Sequence, residues 1–70
     1  MTRADARAIC EGLYPGSKTL RDAYLLGFEA GQDGFERNAV PFVIGSPSRR
    51  AWSRGWNDSA NSRKREGPIS

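Results

Sequence analysis

Three glycines interrupt a stretch that otherwise reads as one helix. Leu20, Ala23, Tyr24, Gly27, Phe28 and Gly31 recur at three- and four-residue intervals, the spacing of a single helical face. Gly27, Gly31 and Gly34 each weaken such a helix by about 1 kcal/mol relative to alanine. That cost has a structural reason if a second helix must approach a glycine-lined groove. Thr19 reads as the cap of this helix, with Asp22 at its third position, and Gly31 and Gly34 offer the stop.

A partner for that groove follows. Ser46-Pro47 is a capping serine with proline at the first helical position. Beyond it Ala51, Trp52, Gly55, Trp56, Ser59 and Ala60 share one face, while Arg49, Arg50, Arg54 and Asp58 lie on the others. The helix is expected to fray near Asn61, leaving a basic mobile tail over residues 63–70. Between the two helices, residues 35–47 are irregular, with Pro41-Phe42-Val43-Ile44 a short apolar extended stretch. Upstream, residues 2–13 predict a short helix capped by Thr2 and ended by Gly12, Pro15 and Gly16, with Ile9 and Leu13 as its docking strip. The expected fold is all-α: a small helical hairpin of two glycine/tryptophan-packed helices, with an added short N-terminal helix. Its units are residues 1–16 (helix and turn), 17–62 (hairpin) and 63–70 (tail). Tyr24, Gly27, Phe28, Gly31, Trp52, Gly55 and Trp56 are the packing residues.

Composition excludes several chemistries. Cys10 is the only cysteine and there is no histidine, so internal disulfides, Cys/His zinc sites and imidazole-activated nucleophiles are ruled out. Asp22, Glu29, Asp33 and Glu36 read as a solvated face, since the third segment offers only Asp58 as a matching ligand. Neither metal nor cofactor is expected. The glycines are embedded in a helical pattern and lack the Lys-Ser/Thr of a phosphate loop. No apolar run approaches the ~20 residues of a membrane span, and the lone thiol and absent leader read as cytoplasmic.

Charge is divided unevenly. Residues 1–36 carry four basic and six acidic side chains, and residues 37–70 carry seven basic and two acidic. The C-terminal half therefore expects a polyanionic partner. Arg49, Arg50 and Arg54 form a compact cationic patch beside the tryptophan ridge, suited to phosphate contact. Arg63-Lys64-Arg65 adds a generic polycation.

The string Ala23-x-x-x-Gly27-Phe28-x-Ala30-Gly31-x-x-Gly34, then Pro41-Phe42, Arg49-x-x-Trp52-x-x-Gly55-Trp56 and Ala60-x-x-Arg63, resembles the ribosome modulation factor family of small bacterial proteins. The resemblance covers residues 23–63. It implies a two-helix protein on the small ribosomal subunit that blocks initiation and promotes inactive ribosome dimers. By position, Arg37, Arg49 and Arg63 stand where that family has basic residues, Phe28 and Phe42 where it has tyrosines, and Trp52 and Trp56 where it has tryptophans. The chain departs from the pattern at Leu26 and Phe35, where basic residues are expected, and in its mildly acidic N-terminus. The same fold family includes small proteins described as fluoroquinolone-modifying.

The leading expectation is a non-enzymatic ribosome- and rRNA-binding protein that dampens translation through Arg37, Arg49, Arg50, Arg54, Arg63, Lys64 and Arg65. The alternative is a protein-binding adaptor or inhibitor of mobile-element origin, gripping an acidic partner with the first helix and the Pro41-to-Ile44 loop. A fluoroquinolone-modifying enzyme comes third. The small core and the exposed first helix also point to a weak homodimer.

Overall fold

The two longer helices begin where a serine hydroxyl can satisfy a free amide. Ser17 sits in extended backbone, and its Oγ accepts from the Leu20 amide at 3.3 Å. Ser46 accepts likewise from the Arg49 amide at 3.2 Å, with Pro47 at the first helical position. The computed structural model describes residues 3–66, with side-chain surroundings through Asn61. These form α1 (Arg3–Leu13), α2 (Lys18–Gln32), a short 3-10 turn (Arg37–Ala39) and α3 (Pro47–Glu66), with no strand among the described residues. The all-α hairpin with an added N-terminal helix is therefore the fold.

Several local expectations are corrected. The cap of α2 is Ser17, not Thr19, which lies within the first turn. Ser17 follows directly on the Pro15-Gly16 turn, so the chain enters the helix earlier. The three glycines split into two roles. Gly34 adopts a left-handed φ of 82°, and Phe35 N–H reaches back to Ala30 C=O at 3.0 Å, the glycine-dependent way of ending a helix. Gly27 and Gly31 remain for packing. Helix α3 does not fray at Asn61 but continues through Arg63, Lys64 and Arg65 to Glu66. Those three cations and Glu66 are good helix formers, and the breaking Gly67-Pro68 pair comes only afterwards. Residues 67–70, Thr2 as the cap of α1, and the side chains of Arg63, Lys64 and Arg65 lie outside the described residues.

Helices α2 and α3 meet backbone to backbone. A Cβ at Gly27 would overlap the Trp52 carbonyl, and one at Gly55 would overlap the Tyr24 carbonyl. At Gly31 the added atom would fall 2.8 Å from Ser59 Cβ and 2.9 Å from the Trp56 carbonyl oxygen. This approach buries Tyr24, Phe28, Ala51 and Trp52. Trp56 is only half-buried, and its indole N–H donates to the Phe35 carbonyl at 2.8 Å, tying the end of α2 to α3. Ser59 is buried, with no hydrogen-bond partner for its Oγ among the described residues.

Helix α1 docks by a different strip from the expected one. Ala6 and Cys10 face the core, whereas Ile9 and Leu13 stay 38% and 39% exposed. Small side chains at i and i+4 let α1 lie close to α2 where larger ones would hold it off. Arg3 pairs with Glu29 at 2.6 Å. Arg21 donates to the Tyr14 and Pro15 carbonyls, each at 2.9 Å, fixing the α1–α2 turn. Among the described residues, no helix is long and apolar enough to cross a membrane.

Candidate functional site

The loop between α2 and α3 folds back to carry cations toward the start of α3. Phe42 packs against the core, and the Arg49 guanidinium donates to the Phe42 carbonyl at 3.3 Å. A hydrogen bond from Ser46 N–H to Val43 C=O closes the turn that follows, with Gly45 at a left-handed φ of 84°. The helix then starts at once, so Arg49, Arg50 and Arg54 emerge in its first two turns beside the loop.

Four of the seven basic residues expected at the site come together. A groove of about 540 Å³ is lined by Arg49, Arg50 and Arg54 with Ser53, Asn57 and Tyr14. A second, of about 350 Å³, is lined by Arg37, Asn38, Arg49 and Ser53. Arg49 and Ser53 are common to both, so the 3-10 turn and α3 present one surface. The guanidinium groups of Arg37, Arg50 and Arg54 are exposed and make no ion pair or hydrogen bond among the described residues. Neither groove has an acidic residue in its lining. Arginine forks interspersed with Ser, Asn and Tyr donors form a surface chemically matched to phosphate oxygens. The side chains of Arg63, Lys64 and Arg65, the other three, lie outside the described residues.

The packing residues stand behind this surface. The Tyr24 hydroxyl donates to the Asp58 carboxylate across the α2–α3 contact. Burial, then that hydrogen bond, pushes the Tyr24 phenol well above its ordinary range, so it stays protonated. Trp52 is buried with its backbone against Gly27, which assigns it to the core rather than to base stacking.

Two further features stand apart from this surface. Val43 and Ile44 are 78% and 81% exposed at the tip of the Gly45 turn, although they form the most apolar run of the loop. A further groove of about 590 Å³ between α1 and α2 carries Arg3, Arg7, Lys18 and Arg21. Counting charge by halves of the chain hid it, because the six acids of residues 1–36, with Glu11 and Asp22 of this groove among them, outweigh these four. The i, i+4 spacing of Arg3 and Arg7 on α1 was the available signal.

Cys10 is buried and its Sγ donates to the Arg7 carbonyl at 3.1 Å. Burial, then the neighbouring Glu11 charge, raises its thiol, the opposite of what a nucleophile needs. Among the described residues no group of three or more His, Cys, Asp or Glu gathers to hold a metal ion. No protein-family model, no curated protein and no solved structure matches this chain.

Proposed function

We propose that the protein is a small RNA-directed binding protein of the ribosome modulation factor type, acting without catalysis on the small ribosomal subunit to dampen translation. The supporting observation is the acid-free surface on which Arg37, Arg49, Arg50 and Arg54 converge. Three of its four cations are displayed by α3, whose position is set by backbone contact with α2, so they are offered in a fixed pattern to ribosomal RNA. Arg49 has a second duty, holding Phe42 of the loop.

Arg50 and Arg54 therefore make the cleaner test. The double substitution Arg50→Glu/Arg54→Glu should lower ribosome binding about tenfold or more while leaving helicity unchanged. On sucrose gradients the wild-type protein should travel with the small subunit at about 100 mM salt and be released at about 500 mM, as a phosphate-directed contact requires. A shift of ribosomes toward dimers would extend the reading to hibernation. Protein that remains at the top of both gradients would overturn it.

A second reading has one observation of its own. The exposed Val43-Ile44 tip, with Pro41 before it, is suited to gripping a protein partner, as an adaptor or inhibitor would. Under that reading Ile44→Ser abolishes partner capture and leaves any RNA affinity intact.

A further inference from the structure

Every Lys and Arg among residues 3–61 lines one of the three grooves. Of the acids in that span, only Glu11 and Asp22 do so, and both lie in the α1–α2 groove. The grooves adjoin one another. Pro15 lines the α1–α2 groove and its neighbour Tyr14 lines the α3 groove, which in turn shares Arg49 and Ser53 with the third. Arg21, which lines the first of these grooves, braces the turn between them through its bonds to the Tyr14 and Pro15 carbonyls.

We infer that the α1–α2 groove is a second nucleic-acid site, in which Arg7, Lys18 and Arg21 take the phosphate backbone of the same RNA strand that lies on α3, the strand passing over the Tyr14–Pro15 turn. This rests on the RNA-directed reading above and extends it to a helix outside the family resemblance. The Arg7 guanidinium and the Lys18 ammonium are exposed and make no ion pair or hydrogen bond among the described residues. Arg21 bonds only neutral carbonyls, so its charge is uncompensated by those contacts. Arg3 is already paired with Glu29 and contributes less. Cations spread along adjoining grooves, rather than gathered at one point, match the repeating charge of a strand better than a single small anion. Tyr14, half-buried at the junction, supplies the aromatic surface that single-stranded bases stack against.

The test uses the full chain and a fluorescently labelled single-stranded RNA of roughly 16 nucleotides, long enough to span more than one groove. Arg7→Ala/Lys18→Ala is compared with Ala8→Glu/Gly12→Glu, which changes net charge equally at exposed α1 positions outside the three grooves. Anisotropy titrations at several salt concentrations should show a three- to tenfold loss of affinity for the first variant and a salt slope lower by about 1 to 1.5. The second variant should stay near wild type. Equal losses in both would reduce the effect to net charge and overturn the groove. If wild type binds and Arg50→Glu/Arg54→Glu weakens it while Arg7→Ala/Lys18→Ala does not, the α3 surface stands alone and this inference fails. If wild type binds neither this RNA nor ribosomes, the RNA-directed reading fails, and the second site with it.

Discussion

The two contacts that α2 makes are built on opposite principles. Against α3 it offers bare backbone: Gly27 lies on the Trp52 carbonyl, and Gly55 of α3 lies on the Tyr24 carbonyl. Against α1 it receives small side chains, Ala6 and Cys10, reinforced at the edge by Arg3–Glu29 and at the turn by Arg21. The first contact has no room for a single added carbon at its centre. In the second, α1 keeps an open outer face, and Gly12 there has no neighbour within 4 Å of where a Cβ would stand. Glycine has thus been placed for close approach in one helix pair and has no packing role in the other. Substitution at the two kinds of glycine should therefore differ in sign.

The largest effect falls at the backbone contact. Gly27→Ala and Gly55→Ala each force a methyl into a peptide carbonyl, and backbone cannot turn aside as a flexible side chain does. Each should cost about 3 kcal/mol or more, a large share of the stability of a domain this size. Urea unfolding followed by tryptophan fluorescence measures it. A variant with wild-type stability would mean that the two helices slide freely, and the contrast between the contacts would disappear.

Tyr24 tests whether the α2–α3 contact also depends on a polar bond. Tyr24→Phe keeps the buried ring and removes the hydroxyl that donates to Asp58. The expected loss is about 1.5–3 kcal/mol, the range for a hydrogen bond to a charged group. The sign with pH follows from the raised phenol: its folded value lies above its unfolded one. Its contribution is therefore whole below about pH 10 and is lost as pH climbs above that. Thermal unfolding across that range should show stability falling in wild type, and falling less in Tyr24→Phe.

What could be read from the chain alone divides along the same line. The α2 face of Ala23, Tyr24, Gly27, Phe28 and Gly31 is buried as the helical spacing requires, because glycines at i and i+4 carry a cost that only close packing offsets. The capped start at Ser46-Pro47 was equally legible, since the hydroxyl and the missing amide act locally. The docking strip of α1 was not. Ile9 and Leu13 are the larger apolar pair, yet the depth available beside α2 selects Ala6 and Cys10, a tertiary constraint absent from local spacing. Of the cationic surface, Arg49, Arg50 and Arg54 were visible as one helix patch. Arg37 joins them only because the loop folds back, and the α1–α2 groove arises only when two helices meet.

The smallest effect separates the contacts most sharply. Gly12 occupies the last turn of α1 with a negative φ, exposed, and with open space around its missing side chain. Alanine there adds helix propensity and meets nothing, so Gly12→Ala should raise stability by up to about 1 kcal/mol. The same one-carbon change that breaks the α2–α3 contact thus strengthens α1. A rise in midpoint temperature for Gly12→Ala, beside a collapse for Gly27→Ala, would show that glycine content here reflects two different demands. If Gly12→Ala destabilised the chain, α1 would have to meet a surface at that face, and a second copy of the protein would be the first candidate to examine by sedimentation.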